Sequence, residues 1–476
     1  MGGREVTQIL IGPMTRQNVP VAIEVKVEQK VVTEAKVMAR NMRGFEYMLR
    51  GREPMDAPYF TQRVCGICST AHAYASCLAL EDATGMTVTR NAVLIRNILF
   101  GGDVFQNHIR HFYLLALPDF VDLPEKPPWA PRTFFVNPLP QAVNQRMVRN
   151  YFQAFEVSRD AHTLAAIMGG RAPHSWSLQP GGATIQPTAE RVMRASAIAS
   201  RIRNFITEDY RQDVEDLARY YPEYFEYGAR PHNYIAYGAL PDPDKPHDYL
   251  FPPGVALDGE RGPLEVKYIR EDIEKSWYQE QDEGKEADQF FTPPPEPDRE
   301  KAGAYSWIKA VRYRGKACEG GPLARAYLSG EYSKSNGTLD RHLARRWEAA
   351  LYVELVKKWI NQLQEEEPSY LAWKTPQAAK GQGLIEAMRG PLGHWVEIAG
   401  GQIKNYTIIT PSVWNMGPRR NDEDLGVLEE SLIGTPIADP ANPVEIGRVV
   451  RAFDPCTACA VHVITATRRL EPIEII

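Results

Sequence analysis

Two Cys-x-x-Cys pairs, Cys65/Cys68 in RVCGICSTAH and Cys456/Cys459 in DPCTACAVH, use four of the six cysteines of this chain. Thiolates are soft, strongly donating ligands, and four of them suit zinc, an iron–sulfur cluster or a nickel–iron pair. Spacing separates these readings. A zinc ribbon places its second pair about 15–20 residues after the first, whereas almost the whole chain lies between Cys68 and Cys456. A local zinc staple is therefore the weaker reading. The stronger one is a centre that closes only when the entire chain has folded.

Each pair is embedded in groups that a bare zinc knuckle does not need. Gly66 lets backbone approach a metal closely, and His72 lies one turn beyond Cys68 if a helix starts there. Asp454 and Pro455 precede the second pair, and His462 follows Cys459. In these two signatures the chain resembles the large subunit of the nickel–iron hydrogenases. The resemblance continues in order through Thr15 and Arg16, RGFE at 43–46, HFY at 111–113, GGRAPHSWSLQPGG at 169–182, SWIKAVRYRGKACEGGPLAR ending at Arg325, MRGPLGHW at 388–395 and PSVWNMGPR at 411–419. Ordered matches over most of a chain carry more weight than one motif.

The resemblance implies a nickel–iron centre whose iron carries carbon monoxide and two cyanides. Cys65 and Cys456 would be terminal nickel ligands, while Cys68 and Cys459 would bridge both metals. Arg389, together with Pro411 and Ser412, matches positions that hold the cyanides, and a guanidinium and a hydroxyl are suitable donors to anionic nitrogen. The plain alternative for Arg389 is a salt bridge to Asp454 or Glu386. His72 would donate to a bridging thiolate and tune its electron density; a satisfied core histidine is its alternative. Glu46 and His462 match two ligands of a magnesium-type site, where the carboxylate suits a hard cation better than the imidazole does. Otherwise Glu46 would pair with Arg43 or Arg50. A maturation endopeptidase would cut after His462, making residues 463–476 a removable tail, although their β-branched content also fits an ordinary strand.

The expected reaction is reversible cleavage of dihydrogen, an apolar and very weak acid that needs a metal to bind it and a base to take its proton. Cys456, Cys459 and Arg389 are the candidate bases, with Asp454 beside them. Only Cys77 and Cys318 are left over, and both read as buried reduced thiols. They are too few for an iron–sulfur cluster, which normally takes four ligands. Electrons must therefore leave through another chain, which the resemblance names as the hydrogenase small subunit with its iron–sulfur clusters.

Three departures stand out. Where the family reads TRIEGH this chain reads TRQNVP, placing Asn18 at the proton-relaying glutamate and Pro20 at the histidine. An amide cannot relay a proton at neutral pH. Asn107 stands where Asp is expected before His108, and Met388 where Pro is expected before Arg389. These changes leave all four sulfur ligands intact, so they bear on rate and oxygen response more than on metal assembly. They mark a divergent branch.

The elements that must position these groups are a mainly α core with β-rich peripheral parts (α+β), a long-helix bundle of the hydrogenase large-subunit type. Val21, Ile23, Val25 and Val27 alternate with Ala22, Glu24, Lys26 and Glu28, and Gln29-Lys30 turns this strand into VVTEAKV. Val192, Ala195, Ala199, Ile202, Ile206, Tyr210, Val214 and Leu217 form one helical stripe, and long helices are expected near 90–117, 141–168 and 338–364. The triple proline at 293–295 excludes regular structure there. The domain reading is a β-rich segment over 1–62, helical core over 63–230, an irregular proline- and charge-rich insertion with short hairpins over 231–315, helical core again over 316–462, and the tail.

The 476 residues, 43% of them hydrophobic, suffice for a large core. A net charge of −5 without a basic tract gives no sign of nucleic acid as a partner. No run approaches the ~20 apolar residues of a membrane span, and MGGREVTQILIG lacks a secretory h-region. The expected location is cytoplasmic, or exported or membrane-associated through the small subunit. Other classes are a hydrogen-sensing regulatory hydrogenase with slow turnover, which Asn18 fits, a structural zinc protein, and the quinone-site subunit of respiratory complex I, which shares the fold by descent but lacks the four cysteines.

Overall fold

Long helices with one apolar stripe each need other helices to cover them, and that requirement builds the centre of the molecule. A computed structural model describes residues 6–18, 21–127, 129, 135–245, 248–280, 284–332 and 335–456. An antiparallel sheet opens the chain in the order β1 (Val6–Ile11), β2 (Ala22–Glu28), β3 (Val31–Met38). The expected β2–β3 hairpin turns at Gln29 and Lys30, both with positive φ. β1 carries no strong alternation signal and escapes the sequence reading.

The principal helices are α1 (Ser69–Asp82), α2 (Arg90–Arg110), α3 (Gln141–Gly169), α4 (Ala189–Phe205), α5 (Arg211–Tyr220) and α6 (Thr338–Ile360). Thr89 and Thr188 start α2 and α4 by accepting hydrogen bonds from Ala92 N and Arg191 N, which satisfies otherwise orphaned donors. α2 packs on α3 and α6, and α4 packs on both of those. The stripe from 192 to 217 is real but is not one regular helix. A wide π turn at Ile206–Tyr210 joins α4 to α5, and another at His111–Ala116 extends α2. The two turns meet, with Phe112 and Tyr210 ring centroids 5.2 Å apart.

Residues 234–313 form short antiparallel strands between irregular stretches. A second substantial sheet follows, β4 (Ala378–Ala387), β5 (Gly390–Ala399) and β6 (Gln402–Ile409). Its β4 strand lies directly against α1. A Cβ on Gly381 would fall 2.2 Å from Ala79 O, and one on Gly383 would fall 2.0 Å from Ala75 O. Only glycine permits that approach, which holds α1 from behind. β4 and β5 join through a two-residue turn, Met388 and Arg389, and α7 (Val444–Ala452) delivers the chain to the second cysteine motif. Among the described residues no helix is long and apolar enough to cross a membrane.

Candidate metal centre

Cys65 leaves a pair of short helical turns in extended conformation, and Cys68 stands immediately before α1. Asp103 of α2 accepts from Thr70 N at 3.1 Å and fixes the α1 N-terminus. Burial pushes the Asp103 carboxyl up to about 7, against the bonds from Thr70.

Cys456 arrives from the opposite end of the chain. Asp454, at φ 54°, bends the segment after α7, and Ser412 Oγ accepts from Cys456 N at 3.1 Å. Pro411 starts the short helix that presents Ser412. The sulfurs of Cys65, Cys68 and Cys456 come within 4.8 Å of one another, all buried and none in a disulfide. Cys65 Sγ and Cys456 Sγ are 3.5 Å apart. Packing three sulfurs together, deep in a core that offers no disulfide, fits a shared soft metal centre. Cys459 and His462 lie outside the described residues.

Arg389 sits at the buried β4–β5 turn, 3% exposed. Its Nε donates to Asp454 O and lies 3.0 Å from Asp454 Oδ2. The predicted pairing with Asp454 is therefore present, while Glu386 instead meets Arg325. Yet Nη1 and Nη2 of Arg389 find no partner among the described residues. Burial opposes its charge, but Asp454 and the sulfurs of Cys456, Cys68 and Cys65 outweigh that and hold it a cation. A buried guanidinium with two idle donor groups beside three sulfurs fits an anionic ligand on the bound metals.

Asp454 would be pushed up by burial alone, but Arg389, His111, Arg345 and Asn107 together keep it below the usual carboxylate range. Asn107 Nδ2 donates to Asp454 Oδ2 at 3.1 Å, so the amide in place of the expected acid removes a like charge and adds a donor. Asn18 Nδ2 lies 3.0 Å from Cys65 Sγ and 3.0 Å from Cys456 Sγ.

His72 is fully buried on α1. Its Nδ1 is 3.1 Å from His394 Nε2, His394 Nδ1 is 2.8 Å from Tyr406 Oη, and Tyr406 Oη is 3.0 Å from Ser76 Oγ. Sequence reasoning missed His394 and Tyr406 as partners; the spacing of β5 and β6 against α1 supplies them. Glu46 pairs with neither Arg43 nor Arg50. Arg43 donates to Val64 O and Arg63 O, while Glu46 accepts from Ile408 N at 2.8 Å and lies 3.8 Å from Lys309 Nζ. Lys309 also binds both Glu271 oxygens, at 3.0 and 3.1 Å. Burial works against the Lys309 charge, but Glu271 and Glu46 offset it and raise the ammonium above its ordinary value. Burial pushes the Glu271 carboxyl up against the pull of Lys309, and the Glu46 oxygens are of the hard type that a magnesium-like cation takes.

Cys77 and Cys318 are buried apart from this cluster, their thiols pushed up to about 12 by burial. They behave as core residues, as expected.

A family model described as nickel-dependent hydrogenase matches residues 43–131 and 128–462. The chain belongs to that family. Curated relatives of this hydrogenase chain include the periplasmic [NiFeSe] hydrogenase large subunit of Desulfomicrobium baculatum, 37% identical over 96% of this chain and 95% of the relative. Hydrogenase-2 large chain of Escherichia coli is 31% identical over 96% of this chain and 98% of its own. The Ni-Fe-Se hydrogenase of D. vulgaris Hildenborough in the reduced state superposes with a TM-score of 0.93 at 36% identity, covering 96% of this chain and 100% of that one. The protein is thus a hydrogenase large subunit and an oxidoreductase, with the mixed helical and sheet architecture of those structures. The resemblance read from its two cysteine motifs holds along nearly the whole chain.

Proposed function

We propose that this subunit catalyses reversible heterolytic cleavage of dihydrogen on a nickel–iron centre held by Cys65, Cys68, Cys456 and Cys459. The observation that carries the reading is the convergence of Cys65, Cys68 and Cys456 within 4.8 Å, with the buried Arg389 interacting with all three sulfurs and its Nη1 and Nη2 unpartnered among the described residues. A nickel–iron centre with carbon monoxide and two cyanides on iron would supply the Lewis acidity that dihydrogen cleavage needs.

The chain's own residues do the rest. Cys65 and Cys456 would hold nickel alone, and Cys68 and Cys459 would hold both metals. A thiolate, Cys459 or Cys456, takes the proton. Arg389 is the weaker candidate base, because its salt bridge with Asp454 keeps the guanidinium charged and arginine does not deprotonate readily in proteins. Its role is to orient the anionic ligands on iron with Ser412, while Asp454 aims it. Tyr406 donates to Ser76 Oγ, so His394 Nδ1 donates to Tyr406 Oη and His72 Nδ1 donates to His394 Nε2; His72 Nε2 would then donate to a bridging sulfur as the protonated imidazolium. Glu46, with His462, would hold a magnesium-type cation.

Electrons pass to an iron–sulfur small subunit across a large permanent interface, and the compartment follows that partner. A maturation endopeptidase removes 463–476 after His462. A second reading, a hydrogen sensor with slow turnover, is favoured by one feature, the Asn18 amide at the sulfurs. The test is nickel and iron analysis of the processed heterodimer together with dihydrogen-driven dye reduction per nickel. Nickel with turnover supports the enzyme, nickel with trace turnover and partner-dependent signalling supports the sensor, and zinc without nickel sinks both.

A further inference from the structure

The amide of Asn18 sits astride the two sulfurs that come from opposite ends of the chain. Its nitrogen is 3.0 Å from each of Cys65 Sγ and Cys456 Sγ, and those sulfurs are 3.5 Å apart. We infer that Asn18 is a positioning residue that clasps one sulfur from each motif with the two N–H bonds of a single amide, and so sets the potential of the metal they bind. The inference rests on the proposed nickel–iron reading of the cluster.

The chemistry matches the geometry. A primary amide carries two donor hydrogens on one nitrogen, and two anionic acceptors flank it. The carbonyl end of the same amide would be repelled by thiolates, so the nitrogen faces them. A hydrogen bond to a coordinating sulfur withdraws electron density from it and makes it a poorer donor to the metal. Because the amide neither takes nor gives a proton at neutral pH, its influence is constant, unlike that of a carboxyl in the same place.

The backbone around Asn18 is held by the segment that presents Cys456. Asn18 N donates to Pro455 O at 3.3 Å, and the two stretches form a parallel bridge at Asn18 and Cys456. Arg451 donates from Nε to Thr15 O at 3.2 Å and pairs with Asp119. Arg16, itself at φ 54°, donates to Leu115 O at 2.7 Å and pairs with the same Asp119. Two arginines on one carboxylate thus fix the Thr15–Asn18 turn relative to Cys456, and the amide has little freedom to swing away.

The experiment is an infrared-monitored redox titration of the processed heterodimer, with nickel content measured, for the wild type and for Asn18→Ala, Asn18→Asp and Asn18→Gln. Losing both donors makes the sulfurs stronger donors and favours the oxidised metal. For Asn18→Ala the oxidised-to-reduced ratio at the wild-type midpoint should rise about tenfold, a shift of about 59 mV to lower potential for one electron. Asn18→Asp keeps the shape but presents acceptors, and should shift the same way; it also serves if the alanine variant takes up no nickel. Asn18→Gln retains the donor and should recover part of the shift. Wild-type titration by nickel-loaded Ala and Asp variants overturns the inference, as does a Gln variant displaced as far as Ala, which would indicate packing. A wild-type protein without carbonyl and cyanide bands overturns the metal-centre reading itself, and is recognised before any variant is compared.

Discussion

Replacing Arg389 by lysine separates charge from fork geometry at the centre. Arg389 Nε holds both the carbonyl and the carboxylate of Asp454, at 3.0 Å each, while Nη1 and Nη2 have no partner among the described residues and are available to the ligands proposed on the metals. A lysine ammonium can satisfy both Asp454 oxygens, but it then has one N–H left in place of the four carried by Nη1 and Nη2. The cost to folding is therefore small, on the order of one charged hydrogen bond, ~1.5–3 kcal/mol, rather than the ~3–5 kcal/mol of stripping a buried ion of its partner. The cost to turnover is larger. Loss of a preorganised donor at a reacting centre lowers rate by about 10²–10³. Dye reduction per nickel, with nickel content and thermal unfolding measured on the same samples, should show a folded, nickel-loaded enzyme with turnover reduced by that factor. Unchanged turnover per nickel would refute the role assigned to the fork. Loss of nickel would mean that Arg389 serves assembly instead.

Three further outcomes follow from the same geometry. Asn18→Glu should accelerate exchange between deuterium gas and solvent protons, followed by mass spectrometry; no acceleration would mean that protons leave by a route that bypasses this position. Glu348 would be raised by burial, but Arg325 and His108 overcome this and hold it down to about 2 from an ordinary 4.5. The unfolded chain therefore binds the extra proton between these values, so the stabilisation is complete above 4.5 and lost as pH falls towards about 2. Thermal unfolding against pH should lose that acid slope in Glu348→Gln and start lower above it, and an identical slope would contradict the assignment. Gly383→Ala places a Cβ 2.0 Å from Ala75 O, so it should push β4 off α1 and lower the yield of nickel-loaded protein on metal analysis; normal loading would show that the contact is dispensable.

The parts of this site that were legible in the sequence are those whose chemistry is written in local spacing. The two Cys-x-x-Cys motifs, the turn-length offset of His72 and the β2–β3 hairpin could be read directly, because each depends on residues a few positions apart. The π turns at 111–116 and 206–210 could not, since a π turn shifts a stripe by about one residue and leaves Ile206, Tyr210, Val214 and Leu217 on the buried side. The β4–β5 hairpin was equally silent. β5 is buried on both faces over most of its length, which erases the period-2 alternation that marks a half-buried strand. That hairpin is what carries Arg389 into the core. The partners of Glu46 and His72 were missed for a related reason: Lys309, Glu271, His394 and Tyr406 are brought in by sheet packing over long separations, and no spacing encodes that. Sequence proximity makes Arg43 a salt-bridge partner for Glu46, whereas the fold turns its guanidinium onto the carbonyls of Arg63 and Val64, bracing the turn just before Cys65.

The most direct test of the nickel–iron reading is an infrared spectrum of the processed heterodimer in the region where metal-bound carbon monoxide and cyanide absorb. The account predicts one carbonyl and two cyanide bands that move when dihydrogen is admitted. A metal-loaded, processed protein with none of these bands would contradict it, and the sulfurs of Cys65, Cys68 and Cys456 would then belong to a different centre.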